Sequence, residues 1–197
     1  MKKTENWLSA NKFNKKDEYY TPAILVEPII KYIPQGSTVW CPFDTKDSEF
    51  VILLKQNNCN VIHSHIWTGQ DFFEYEPAIE YDYIVSNPPF TRKLDVLERL
   101  YKLNKPFAMI LGLPILNYQN VGNFFVGKDL QMLIVDKKVS FNGNCSSFNN
   151  SYFCRGILPK DLIFEHLEHN NGSANFKPSR MNQSLTVTSS QRLNNAA

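Results

Sequence analysis

Asn87-Pro88-Pro89-Phe90, at the end of the apolar run Tyr83-Ile84-Val85, joins an amide, two stiff residues and an aromatic ring in one short segment. Pro88 and Pro89 hold φ near about −65° and have no N–H, so a strand cannot continue through them. Asn87 precedes a proline and is pushed toward extended geometry, which leaves its side chain and the nearby carbonyls for a ligand. Those acceptors suit an exocyclic amine such as N6 of adenine, and Phe90 suits the flat face of a base. The lone pair of such an amine is delocalised into the ring, which makes it a poor nucleophile. Acceptors at Asn87 Oδ1 and the Pro88 carbonyl would draw both N–H bonds toward tetrahedral geometry and localise that pair. Orientation and matched hydrogen bonds, rather than a strong base, would then carry the rate.

The flanking sequence predicts the elements that hold this segment. Thr21 as N-cap and Pro22 at the first helical position start a helix whose stripe is Leu25, Ile29 and Ile30, ended by Pro34-Gln35-Gly36. Thr38-Val39-Trp40 reads as a first strand, and Asp47 or Ser48 caps a helix with Phe50, Val51, Leu53 and Leu54 on its apolar face. Asn60 to His63 is a second strand, a short one is expected near Asp71-Phe72-Phe73, and Tyr81 to Ser86 forms a later one. Leu94, Leu97, Leu100, Tyr101 and Leu103 recur at helical spacing, before a buried strand over Pro106 to Leu111. A helix over 117 to 127, a strand over Leu130 to Val135 and a last strand over Ser151 to Cys154, in a hairpin arrangement, complete the pattern. Strands alternating with helices imply an α/β fold, with a mostly parallel sheet and helices on both faces. In such sheets ligands bind at the carboxyl ends of the strands, where Asn87 is delivered.

Composition sets the bounds. The 197 residues suit one domain, over 19 to 168, between a polar basic arm at 1 to 18 and a tail at 169 to 197 too poor in large apolar groups to order itself. A formal charge of +2 is too small to argue nucleic-acid binding. No apolar stretch approaches the roughly 18 residues of a membrane span, and the opening residues lack a secretion signal's long apolar run. Cys41, Cys59, Cys145 and Cys154 show no Cys-x-x-Cys spacing and read as reduced thiols of a cytoplasmic protein. Cys59, His63 and His65 lack a fourth partner, so no metal is expected.

Asn87-Pro88-Pro89-Phe90 resembles the Asn-Pro-Pro-aromatic motif of S-adenosylmethionine-dependent amino-methyltransferases, in particular the N6-adenine DNA methyltransferases. The pattern over roughly 19 to 155 looks like the adenine methyltransferase-like proteins encoded by bacteriophages and prophages. The resemblance implies a Rossmann-like methyltransferase fold with a C-terminal antiparallel hairpin, S-adenosylmethionine as cofactor, DNA as partner and the host cytoplasm as location. It makes Asn87, Pro88, Pro89 and Phe90 the catalytic loop. Tyr20-Thr21-Pro22 is similar to a motif that helps hold the methionine portion of the cofactor. Cys41-Pro42-Phe43-Asp44-Thr45-Lys46-Asp47-Ser48 stands where the family has a glycine-rich turn and contains no glycine. There Asp44 would pair with the methionine ammonium, and the amides of Asp47, Ser48 and Glu49 would face the carboxylate.

His65 stands where the family places an acid for the ribose hydroxyls, and can make one such bond but not a carboxylate's two. Asp71-Phe72 matches the acid and aromatic that meet the cofactor's adenine. Arg92 and Lys93 are candidates for phosphate contacts, with Lys137, Lys138 and Arg155 as further ones. Phe148 and Tyr152 are candidates for the opposite wall of the base pocket. Amino methylation of RNA adenine, guanine N2 or protein glutamine fits the same loop. A non-catalytic nucleic-acid or partner-binding module on a decayed fold is the alternative from another class.

Overall fold

Central strands rich in Val, Ile, Phe and Met have side chains to bury on both faces, which only a sheet covered on both sides can do. A computed structural model of the protein describes residues 20–139 and 150–167, and shows such a sheet. Its seven strands are β1 (Thr38–Cys41), β2 (Asn60–His63), β3 (Tyr83–Ser86), β4 (Phe107–Gly112), β5 (Gln131–Val135), β6 (Asn150–Arg155) and β7 (Leu162–Glu165). They lie in the order β2-β1-β3-β4-β6-β5-β7. β2, β1, β3 and β4 run parallel; β6 enters antiparallel between β4 and β5, and β7 adds parallel to β5. This is the expected Rossmann-like α/β sheet with its antiparallel pair.

Helices α1 (Ala23–Ile30) and α2 (Glu49–Gln56) cover one face, while α3 (Lys93–Leu103) and α4 (Gln119–Phe125) cover the other. Alternation along the strands divides the core accordingly. Val39, Val85, Ile110 and Tyr152 pack with Leu25, Ile29, Phe50 and Leu54. Trp40, Ile84, Met109 and Phe153 pack with Leu97, Leu100 and Val121.

Three local expectations are corrected. Asp71-Phe72-Phe73 is a turn and not a strand. Asp71 Oδ1 accepts the Phe73 N–H at 3.0 Å and the Asp71 carbonyl takes those of Glu74 and Tyr75, so local bonds replace a ladder. Thr21 is not the cap of α1; Pro22 holds that position with extended dihedrals, and the Thr21 hydroxyl is used elsewhere. β6 is not the last strand, because β7 follows it. The basic arm, the polar tail, Cys145 and Phe148 lie outside the described residues.

Candidate active site

β3 is flanked by β1 and β4, with Trp40 opposite Ile84 and Ser86 opposite Met109, so its carboxyl end opens at the middle of the sheet. Ser86 is fully buried and Asn87 half-buried; Pro88 is buried, and Pro89 (φ −60°, ψ 141°) leads into a single 3₁₀ turn, Phe90–Arg92, before α3. The prolines thus convert a buried strand into a rigid corner within two residues. Asn87 Nδ2 donates to Thr21 Oγ1 at 3.0 Å. Its Oδ1 is buried and accepts no hydrogen bond from the described residues. A buried acceptor left unpaired costs about 1–3 kcal/mol, so this oxygen favours any ligand that brings an N–H to it. Phe90 is half-buried beside the corner, with Lys93 Nζ 5.2 Å from its ring centroid.

Opposite this corner, the turn after β1 is built from polar side chains that bond one another. Ser48 occupies the N-cap position of α2, yet its hydroxyl donates to Asp44 Oδ1 and does not cap the helix. Asp44 Oδ2 accepts the hydroxyl of Ser86, next to Asn87. The Asp44 N–H bonds the Ser64 carbonyl at 3.2 Å, the Ser64 N–H bonds the Cys41 carbonyl, and Trp40 Nε1 donates to Ser64 Oγ at 2.9 Å. The ends of β1, β2 and β3 are therefore joined through Asp44 and Ser64. Burial raises the Asp44 carboxyl to about 6 against the opposing pull of its two hydroxyl donors. None of residues 41–48 has a positive φ, so this turn has no position that requires glycine.

The other cofactor-side candidates are also tied into the chain. His65 precedes a 3₁₀ turn, its Nδ1 accepting the Trp67 N–H at 3.1 Å, and burial lowers its pKa toward the neutral ring. Asp71 spends Oδ1 on its own turn, while Oδ2 takes no hydrogen bond from the described residues. Phe72 is only 2% exposed, 4.8 Å from Phe43 and 5.5 Å from Trp40 between ring centroids, so it supports the turn from beneath. Tyr20 is exposed, Pro22 half-buried and Cys41 fully buried.

Several expected substrate contacts lie elsewhere or are already engaged. Tyr152 is 1% exposed and gives its hydroxyl to the Leu25 carbonyl at 2.7 Å. It is a core residue that fastens α1 and not a pocket wall. Arg155 pairs with Phe107 at the amino end of β4, the opposite end of the sheet from Asn87. Lys137 donates to the Leu167 carbonyl at 2.6 Å, and Lys138 is exposed. Arg92 lies 3.7 Å over the Phe73 ring and pairs with Asp95 at 2.7 Å.

Ser64, Ser86 and Arg99 escaped the sequence reading. Both serines adjoin residues that were singled out, which was their only signal. Arg99 donates to the carbonyls of Phe73 and Tyr75 at 3.0 and 3.1 Å, holding the Asp71 turn from α3, and no short motif marks it.

No protein-family model and no curated protein matches the chain. Among solved structures it is similar to the methyltransferase subunit of a type I restriction-modification system from Streptococcus thermophilus. That match has 12% identity and a TM-score of 0.45, over 76% of this chain and 47% of the other. The chain therefore spans about half the length of that subunit. It is also similar to a release factor-specific protein-(glutamine-N5) methyltransferase from Alicyclobacillus acidocaldarius. There the identity is 15% and the TM-score 0.37, over 67% of this chain and 90% of the other. Likenesses at this level do not bear on substrate or reaction, which rest on the residues above.

Proposed function

We propose that the protein is an S-adenosylmethionine-dependent methyltransferase acting on the N6 amino group of adenine in DNA. The buried, unpartnered Asn87 Oδ1 at the carboxyl end of a central strand carries this reading. An amine that reaches it finds a second acceptor in the Pro88 carbonyl, and Phe90 lies beside both for a base to stack on. These groups hold the two N–H bonds in fixed directions and leave the nitrogen lone pair pointing away from the acceptors. In duplex DNA the adenine must first leave the stack. The choice of DNA rests on the resemblance of this loop to the N6-adenine DNA enzymes.

The residues across from the corner fit the cofactor in three respects. Asp71 keeps Oδ2 for an adenine amine. The Asp44 carboxylate, already accepting the Ser48 and Ser86 hydroxyls, would pair with the ammonium group through its remaining lone pairs. Because the Ser48 hydroxyl is turned away, the first N–H groups of α2 are left for a carboxylate. Tyr20, Pro22 and His65 complete this side, with Cys41 and Phe72 shaping it from within. S-adenosylmethionine, when bound, supplies an electrophilic methyl group; the chain supplies orientation.

The test is transfer of labelled methyl from S-adenosylmethionine to adenine-containing DNA, followed by mass analysis of the methylated nucleoside. The expected product is N6-methyladenine. Label arriving in RNA or in a protein glutamine would move the substrate, and no transfer to any of the three by folded protein would overturn the reading.

A further inference from the structure

The bond from Asn87 Nδ2 to Thr21 Oγ1 joins residues 66 apart in sequence, across the corner itself. Thr21 is only 8% exposed, so water does not readily compete for this contact. The backbone of Asn87 is already constrained on both sides: the Ser86 hydroxyl is tied to Asp44, and Pro88 follows. The freedom that remains is in the side chain, whose amide turns about a last torsion that is a broad well with no strong intrinsic preference. An amide has a donor end and an acceptor end, and only the acceptor end serves an incoming N–H. When Nδ2 donates to Thr21, Oδ1 is left as the unengaged corner of the amide, as observed. Thr21 itself sits in the extended segment just before α1, and the Tyr152 hydroxyl fastens that helix through the Leu25 carbonyl. The acceptor of the bond is therefore as firmly mounted as its donor.

We infer that Thr21 is the positioning residue of the catalytic loop: its hydroxyl oxygen holds the Asn87 amide so that Oδ1 faces the substrate amine. This rests on the methyltransferase reading for its catalytic consequence, but the orientation itself is a property of the folded chain. It also differs from what the resemblance implies for Thr21, which is a hold on the cofactor's methionine end. The two roles separate in kinetics. A cofactor contact acts on cofactor affinity, whereas a positioning residue acts on turnover at saturating cofactor and substrate.

The experiment compares wild type with Thr21→Val, which keeps the branched shape and removes the acceptor, and Thr21→Ser, which restores it. Steady-state methyl transfer to an adenine-containing oligonucleotide is expected to show kcat reduced about tenfold in Thr21→Val and largely recovered in Thr21→Ser. Calorimetry should give S-adenosylmethionine the same Kd, within about twofold, for all three proteins. The side-chain NH₂ resonances of Asn87, followed by NMR without any ligand, should be slow to exchange in wild type and Thr21→Ser and fast in Thr21→Val. Weakened cofactor binding with undiminished kcat in Thr21→Val would overturn the inference in favour of a cofactor contact. Unchanged Asn87 resonances in Thr21→Val would overturn it outright. If wild type transfers no methyl group, the methyltransferase reading fails, and the resonances alone decide whether Thr21 orients Asn87. Should Thr21→Val unfold, fast exchange of the Asn87 NH₂ in wild type would by itself overturn the inference.

Discussion

The candidate site has two proposed sides, one for the amine and one for the cofactor, and the cleft between them would be lined by polar atoms treated in opposite ways. On the amine side, the Asn87 amide is bonded at its nitrogen and buried without a partner at its oxygen. On the cofactor side, both Asp44 oxygens, His65 Nδ1 and one Asp71 oxygen are all satisfied by the chain itself. Self-satisfied groups give shape without requiring a ligand, whereas a buried orphan acceptor stays uncompensated until one arrives. Among the carboxylates, the imidazole and the amide of the candidate site, the buried oxygen left without a partner by the described residues is Asn87 Oδ1. The difference also accounts for a turn after β1 without glycine: hydrogen bonds from Ser48, Ser64 and Ser86 hold a loop that never needs a left-handed residue.

Removing the orphan acceptor should have the largest effect. Asn87→Ala is expected to lower kcat for methyl transfer by at least about a hundredfold, the scale seen when one preorganised hydrogen-bonding group is lost from an active site. Binding of S-adenosylmethionine, measured by calorimetry, should change little. An Asn87→Ala protein that still turns over would break the contrast at its strongest point, since the unmet acceptor would then have no catalytic role.

Asp44 offers a test of the opposite side through its carboxyl, which burial raises from 3.8 to about 6. Between these values the folded protein retains a proton that the unfolded chain has released. The stability this one carboxyl contributes is therefore fully present below about pH 4, is lost as pH rises through 6 and is level above it, by up to about 3 kcal/mol in all. Asp44→Asn removes this loss. Urea unfolding at pH 4.5 and 7.5 should show the variant more stable than wild type at the higher pH and closer to it at the lower. Saturating S-adenosylmethionine sharpens the contrast further: an ammonium paired with Asp44 would pull the carboxyl down and flatten the wild-type profile. An unchanged profile with cofactor bound would remove Asp44 from the binding site and leave it as a structural clasp.

What the sequence made legible follows the same division. β2 was readable over Asn60–His63 and β4 nearly so, because apolar and β-branched runs between turn residues carry their own signal. The corner at Asn87 was readable because two prolines end a strand whatever surrounds them. The turn at Asp71 was misread because its aromatic neighbours mimic strand composition, while one local bond from Asp71 to the Phe73 N–H decides otherwise. β7 was missed because Leu162-Ile163-Phe164 is short and its partner β5 lies some thirty residues upstream, across β6. Thr21 was read as a helix cap because local chemistry allowed it, and only the packed sheet brings Asn87 to its hydroxyl. The clasp of Asp44 on Ser86 likewise depends on β1 lying beside β3. Contacts made by topology leave no local spacing to read.

Phe90 comes next in expected size. Phe90→Ala should raise the apparent KM for DNA by roughly five- to a hundredfold, the range of about 1–3 kcal/mol for a stacked base, with cofactor binding unaffected. A change confined to cofactor affinity would place Phe90 on the other side of the cleft and blur the division between them.

Arg92 should show the smallest effect, and its interest lies in separating two roles for one cation. Its guanidinium rests on Phe73, which belongs to the Asp71 turn, and its Nε pairs with Asp95 in the first turn of α3. Both groups of the ion pair are about half exposed, so solvent screening leaves the pair worth about 0–1 kcal/mol, and the ring contact adds a similar amount. Arg92→Ala should therefore lower stability by no more than about 1–2 kcal/mol. If Arg92 also meets a DNA phosphate, the variant should bind DNA more weakly regardless of sequence, and the log–log salt dependence should lose about one unit of slope. Asp95→Ala makes the converse change: it frees the guanidinium and should strengthen DNA binding at low salt. A salt slope unchanged in both variants would confine Arg92 to bracing the Asp71 turn, on the self-satisfied side of the cleft, and would leave Lys93 as the cation next to the corner to test.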